Sequence, residues 1–333
     1  DAMAACFQVL AQRTSAEWIF EGDIRGCFDH LDHDWMVGHL PMDQGKLRAW
    51  LAVGYMERGM FHPTAAGTPQ GGIISPTAAN MALDGLAERL KAQLKGHQKV
   101  HLVRYADDFI ITGVSRAVLE AHVKPLVVQF LKERGLELAE EKTRIVHIDQ
   151  GFDFLGFNVR KYQGKLLIKP AASSIAAVKE RVRGLVRTGK GLPQGVLIHR
   201  LNPVIRGWGN YYRHVVSKET FNDIDHAIWR MTWNWAKRRH PQRARRWVKE
   251  RYYSRKGGYD WVCTDGSVDL FRMLSIPIRR HVRIRSASNP YDPAQASYFA
   301  ARRARHRQEA SKRAPEWLFG DAPLSRPRGS SGA

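Results

Sequence analysis

At 333 residues the chain is long enough for two or three packed units, and 44% hydrophobic content is that of a globular protein. Its 53 Lys and Arg against 32 Asp and Glu leave a formal charge of +21, more than solubility requires and a sign of a polyanionic partner, nucleic acid first. Three scattered cysteines, Cys6, Cys27 and Cys263, exclude a disulfide framework and a paired-cysteine zinc site, and no apolar run reaches the roughly 18 residues of a membrane helix.

That cysteine usage fits a reducing cytoplasm, and no membrane contact is expected. The text opens at Asp1 directly in a helical pattern, so a further segment upstream is expected. Residues 1–13 read as a helix and "EWIFEGDIRGCF" as a strand with a charged tip. Residues 34–58 read as helical. "GTPQGGIISP" is a loop punctuated by Gly and Pro, whose Ser75 and Pro76 are the N-cap and first position of a helix through "TAANMALDGLAERLKAQL".

"KVHLVRYADDFIITG" reads as strand, turn, strand, and residues 116–134 as a helix closed by Gly135. "FDFLGFNVRKYQGKLLIKP" is a hairpin turning near Gln163 and Gly164. Strands interleaved with helices give an α+β layer over residues 1–169. From Pro170 the text becomes helical and rich in Arg, Lys and Trp; Phe221, Ile224, Ile228, Met231 and Trp235 recur at three-and-four spacing as a buried stripe. Boundaries are placed near 170 and 240, giving a helical unit over 170–239, a basic segment over 240–313 and a loose Pro-, Gly- and Ser-rich tail over 314–333.

Asp107 and Asp108 lie between two apolar strands. On a flat strand they would point to opposite faces, so a shared site requires a turn there, which Asp tolerates. Two close carboxylates repel unless a cation lies between them, and Mg²⁺ is the usual partner of oxygen ligands. Asp23, ending "WIFEGD" beside Gly22 and Gly26, is the best third carboxylate. Two ions about 4 Å apart would then serve an in-line phosphoryl transfer. The alternative is an exposed hairpin tip and a strand-end cap; the joint pattern of two Asp-tipped strands with a Gly-rich loop between them favours the metal site.

"FEGDIRGCFDHLDH", "GTPQGGIISPTAANMALDGL", "YADD", "GLELAEEKTRI" and "FDFLGF" resemble, in this order, the motifs of group II intron-encoded reverse transcriptases, the intron maturases. The similarity runs from the first residues to about 310. It implies a right-hand polymerase palm built on an antiparallel sheet, an α-helical thumb that binds intron RNA, and a basic DNA-binding segment. The implied activity is RNA-directed DNA polymerisation with two Mg²⁺ ions, joining dNTPs to a primer 3′-OH, in a cytoplasmic, nucleoid-associated ribonucleoprotein. The implied partners are group II intron RNA, an RNA template with its DNA primer, and target DNA, with roles in splicing and mobility. Rival expectations are a splicing maturase that does not polymerise and a reverse transcriptase recruited to a host role such as defence.

By the same resemblance Asp23, Asp107 and Asp108 are the catalytic metal ligands, with the Ile24 carbonyl as a further one. Phe28 matches the aromatic gate against a ribonucleotide 2′-OH, its alternative being core packing. Gln70 and Gly71, with Gly72, match the loop that approaches the incoming nucleotide. Lys142 matches a lysine near the triphosphate, or is a solvated strand-edge lysine. Phe154, Leu155 and Gly156 correspond to the primer grip. Arg206, Asn210, Tyr211, Tyr212 and Arg213 combine cations with planar rings suited to RNA, and Lys237, Arg238 and Arg239 open a stretch to Lys256 with ten Lys or Arg and one acidic residue, Glu250. The paired cysteines of an HNH endonuclease are not present after the palm, and fingers are expected upstream.

Overall fold

A computed structural model describes residues 1–57, 60–62, 66–68, 75–285 and 288–311. Helix α1 (Ala2–Leu10) leads to strand β1 (Trp18–Gly22), followed by α2 (Cys27–His30), α3 (His33–His39), α4 (Gln44–Ala52), the short strands β2 (Tyr55–Glu57) and β3 (Met60–His62), α5 (Ser75–Ala82) and α6 (Leu86–Gln93). Strands β4 (Leu102–Tyr105) and β5 (Asp108–Gly113) form a hairpin. Beyond it, α7 (Arg116–Val118) passes through a π turn at Leu119–Val123 into α8 (Lys124–Lys132), and β6 (Arg144–His147) closes the layer.

The central sheet has the order β4-β5-β1-β6 and is antiparallel, with Trp18 opposite Gly113 and His147, and Gly22 opposite Phe109. Strand alternation divides its apolar residues between two cores. Phe20, Phe109 and Ile111 face the helices α3 to α8, while Ile19 and Ile110 face α1 and the elements beyond β6. Both faces are covered, so β5 is buried from Phe109 to Gly113. The helical face is tied by Arg134: its guanidinium lies 3.4 Å over the Phe130 ring and 4.5 Å over Trp35, and donates to the carbonyls of Ala82 and Phe130.

A three-stranded meander follows, β7 (Phe152–Phe154), β8 (Phe157–Tyr162) and β9 (Lys165–Pro170). Then come the long helices α9 (Ala172–Thr188), α10 (Gln194–Tyr212) and α11 (Lys218–Arg239), with α12 (Arg245–Tyr252) and the hairpin β10 (Tyr253–Lys256) to β11 (Tyr259–Cys263). On α11, Phe221, Ile224, Ile228 and Trp235 are buried as their spacing predicts, and Met231 is only partly so. Lys179 pairs with Asp223 at 2.6 Å, and Trp235 Nε1 donates to the Gly189 carbonyl at 3.0 Å. These contacts advance in the same sense along both helices, so α9 and α11 run parallel and their C-terminal ends lie together.

Asp1–Val282 form one compact unit and residues from Arg283 a second, in which the described residues include α13 (Ala296–Ser311). Residues 314–333, expected to be a loose tail, lie outside the described residues.

Several expectations need correction. The strand in "EWIFEGDIRGCF" ends at Gly22, because the next residues leave β5: Asp23 and Arg25 bond the 137–139 segment, and Gly26, at φ 50°, opens α2. Residues 34–58 are not one helix; Leu40 turns extended, and a new helix starts where Asp43 caps Lys46. Gly85, at φ 92°, breaks the expected 77–94 helix into α5 and α6. The single hairpin over 152–170 is three strands, because Leu155 and Gly156 form a second turn.

Candidate active site

The turn between β4 and β5 is two residues, Ala106 and Asp107, and Ala106 sits at φ 54°, a conformation unfavourable for a residue with a Cβ. Arg104 holds it. Its guanidinium donates to the Ala106 carbonyl at 3.1 Å and to Asn80 Oδ1 at 3.0 Å, and pairs with Asp84 at 2.6 Å. The turn carrying Asp107 is thereby braced against α5 and the residues just after it.

Across the ladder, Gly22 faces Phe109, and a Cβ on Gly22 would overlap the Phe109 ring. Only glycine lets β1 and β5 approach with that ring between them, and this approach brings Asp23 next to Asp108. Gly22 opposite Phe109 is the last pair of this ladder, and Asp23, just beyond it, lies near enough to Asp108 for their charges to interact. Burial, then the charges of Asp107 and Asp23, raise the Asp108 carboxyl above its ordinary range, and Lys142 counters this. Asp107 also lies near the buried Cys27 thiol, which burial first and Asp107 second push up to about 12.

Lys142 Nζ is 3.0 Å from Asp23 Oδ2, and this ion pair raises the lysine's pKa. Arg25 pairs with Glu141 at 3.1 Å beside it. Among the described residues no three acidic, histidine or cysteine side chains converge in a set ready to hold a metal ion. The expected three-aspartate ligand set is therefore gathered in one neighbourhood without being closed, and the Lys142 ammonium is the cation paired with Asp23 there. The crowding that raises Asp108 is the charge pattern a divalent cation relieves, so the residues fit Mg²⁺ in kind. The Asp23 carbonyl accepts from Ala139 N–H and the Arg25 N–H donates to Glu137. Antiparallel alternation therefore turns the Ile24 carbonyl toward the opposite edge, the side on which β5 ends.

Phe28 is partly buried against the helical core, and its carbonyl accepts from Thr68 N–H at 2.6 Å. Gln70, Gly71 and Gly72 lie outside the described residues.

The expected primer grip is the tight turn between β7 and β8, with Leu155 at φ 52° and Gly156 at φ 79°. It is held from the helical unit: Tyr211 hydroxyl donates to the Leu155 carbonyl at 3.1 Å, Tyr212 hydroxyl to the Gly156 carbonyl at 3.0 Å, and Ser174 Oγ to the same carbonyl at 3.2 Å. A Cβ on Gly156 would come within 2.8 Å of the Tyr212 oxygen, so that bond requires glycine. Phe154 is buried, and Phe157 packs its ring on both tyrosines. Tyr211 is exposed, and burial, then Tyr212 and Tyr105 nearby, raise its hydroxyl pKa. The Tyr105 strand and the grip turn thus meet at Tyr211.

Expected as an RNA contact, Tyr212 is instead 4% exposed with its hydroxyl bonded internally, so it supports the turn. The Arg206 guanidinium lies 4.7 Å over the Phe271 ring, and Arg213 reaches the Asn210 side chain at 3.5 Å. Arg239 donates to the carbonyls of Lys190 and Leu192, whereas Arg238 is exposed. Sequence reasoning missed Arg104, Arg25 and Ser174. A lone arginine inside the apolar run "HLVRYADD" was the one available signal, since a cation in a strand needs a carboxylate partner.

Two family models match the chain. Residues 2–159 match the reverse transcriptase (RNA-dependent DNA polymerase) model, and residues 175–253 the group II intron maturase-specific domain. The group II intron-encoded protein LtrA of Lactococcus lactis is 30% identical over 44% of this chain and 35% of its own length. An uncharacterized 91 kDa protein in the cob intron of Schizosaccharomyces pombe is 26% identical over 61% of this chain and 35% of its own. The chain spans about a third of the length of these relatives. Among solved structures, telomerase from Candida albicans aligns at 13% identity and a TM-score of 0.40, over 71% of this chain and 45% of that one. With both models matched in this order, residues 2–159 carry a reverse transcriptase domain and residues 175–253 a group II intron maturase-specific domain.

Proposed function

We propose that the chain joins deoxynucleotides to a primer on an RNA template, the primer 3′-OH attacking the α-phosphate of a dNTP and pyrophosphate leaving. The observation that carries this is the meeting of Asp23, Asp107 and Asp108 at one corner of the sheet with Lys142 as the cation present. Asp23, Asp107, Asp108 and the Ile24 carbonyl would hold Mg²⁺, which activates the attacking oxygen and neutralises charge on the transferred phosphate.

The chain's own residues do the positioning. Lys142 and Arg25, now on Asp23 and Glu141, are free to exchange those carboxylates for triphosphate oxygens, both being exposed. Phe28 presents its ring to the sugar. The Leu155–Gly156 turn, fixed by Tyr211 and Tyr212, bears on the primer end. Group II intron RNA and target DNA are the proposed macromolecular partners, with splicing and mobility as the setting and a cytoplasmic, nucleoid-associated ribonucleoprotein as the assembly. Among the described residues no helix is long and apolar enough to cross a membrane.

Primer extension on an RNA template with Mg²⁺ and dNTPs tests the reading. Asp107→Ala should abolish synthesis while leaving RNA binding intact; undiminished synthesis would overturn it.

A further inference from the structure

Gly67 bonds one turn of the chain with both of its backbone polar groups. Its N–H donates to the Leu31 carbonyl at 2.8 Å, and its carbonyl accepts from His33 Nε2 at 2.7 Å. A carbonyl can only accept, so the imidazole carries a proton on Nε2. Next in the chain, Thr68 N–H donates to the Phe28 carbonyl at 2.6 Å. Gly67 and Thr68 are both buried. Gly67 lies at φ 76°, and a Cβ there would overlap the Phe28 carbonyl, so this close approach requires glycine.

The base from which His33 reaches is fixed. It is the first residue of α3 and half-buried. Beside it, Asp32 N–H donates to the Arg134 carbonyl at 3.0 Å, and Asp32 Oδ1 caps the helix by accepting from Trp35 N–H at 2.6 Å. Phe28 has weaker support of its own. It sits on α2, a helix of four residues opened by Gly26 at φ 50°, too short to keep its shape without tertiary contacts. The aim of the Phe28 ring therefore depends on what its backbone is bonded to, and Thr68 bonds it from the segment that His33 holds.

A half-buried histidine bonded to a nearby carbonyl is ordinarily a tether that serves the fold. Here the tethered carbonyl belongs to the residue wedged against Phe28, and the next residue bonds Phe28 directly. The tether thus ends at the ring proposed to meet the sugar.

We infer that His33 is a positioning residue for sugar selection: through Gly67 and Thr68 it fixes the backbone of Phe28, and with it the ring that stands against the 2′ position of the incoming nucleotide. The inference rests on the polymerase reading and deepens it, giving the gate a support on α3.

The test is single-nucleotide extension of a primer on an RNA template by the full chain, comparing kcat/KM for a dNTP with that for the ribonucleotide of the same base. His33→Gln keeps an amide nitrogen as many bonds from the backbone as Nε2, whereas His33→Asn is one methylene shorter and does not reach Gly67. His33→Asn should lower the ratio of deoxy to ribo incorporation about tenfold, within what one lost hydrogen bond produces, and His33→Gln should keep it near the parent value. Phe28→Ala should lower the ratio by itself, and adding His33→Asn to it should lower the ratio no further, because the histidine acts through the ring. A ratio unchanged in His33→Asn, a loss as large in His33→Gln, or a further loss on the Phe28→Ala background would each overturn the assignment. Equal losses for both nucleotides, which a tether serving only the fold would give, overturn it as well. Failure of the parent to incorporate dNTPs would remove the polymerase reading and this role together, whereas normal dNTP incorporation with an unchanged ratio in His33→Asn removes the role of His33 alone.

Discussion

Lys142 and Asp23 form an ion pair at 3.0 Å across the corner where Asp107 and Asp108 also stand. The lysine is exposed and held by one aspartate, so it can exchange that partner for another anion. In the proposed reaction it competes with the metal for Asp23 before the nucleotide arrives and binds the triphosphate afterwards. Lys142→Gln removes both interactions. Its apparent Mg²⁺ requirement should fall a few-fold while KM for dNTP rises, two opposite shifts that steady-state extension over a Mg²⁺ titration resolves. A rise in both would show that the lysine does not shield the site.

Arg104 acts at a distance from the reacting atoms. Its contacts with Ala106, Asn80 and Asp84 hold a turn whose first residue is strained. Arg104→Ala frees that turn, and a misplacement of about 1 Å at Asp107 costs on the order of a hundredfold in kcat. The expected signature is a loss in kcat with little change in KM for dNTP, measured by single-turnover extension. Ala106→Gly removes the Cβ penalty at φ 54° and should leave the melting temperature unchanged or higher.

Gly22 tests the sheet beneath the site. A Cβ there overlaps the Phe109 ring, so Gly22→Ala should destabilise the palm by about 1–3 kcal/mol through overpacking. Shortening the opposing ring in Gly22→Ala/Phe109→Leu should recover part of that loss, a coupling that urea denaturation midpoints of the single and double variants will reveal.

What the sequence made legible follows the range of the interactions. Asp23, Asp107 and Asp108 could be named because each sits at the tip of an apolar run, and Leu155–Gly156 because the spelling around it is distinctive. The break at Gly85 was also local, but helical residues flank it and a glycine inside such a pattern is often tolerated. Arg104 was opaque for a different reason: Asn80 and Asp84, 24 and 20 residues upstream, give it meaning only once α5 packs beside β4. Tyr212 misled because rings among arginines read as an RNA surface, whereas its hydroxyl is bonded to a turn fifty-six residues earlier in the chain.

Tyr211 and Tyr212 make the same kind of bond to adjacent carbonyls, yet they differ in exposure, 51% against 4%. Removing a hydroxyl from a buried donor–acceptor pair leaves a desolvated carbonyl, although Gly156 keeps bonds from Ser174 and the Ala171 N–H. Tyr212→Phe should therefore lower stability by about 0.5–1.5 kcal/mol and change extension little. Tyr211 faces solvent beside Tyr105 and is the only hydroxyl on the Leu155 carbonyl among the described residues. Tyr211→Phe should leave the unfolding midpoint nearly unchanged, because water replaces the lost donor, while loosening the turn that bears on the primer. The predicted result is a KM for primer–template raised a few-fold at unaltered KM for dNTP. If Tyr211→Phe instead shifts the denaturation midpoint and leaves primer affinity alone, the hydroxyl serves the fold, and the grip is positioned by Gly156 and Ser174 without it.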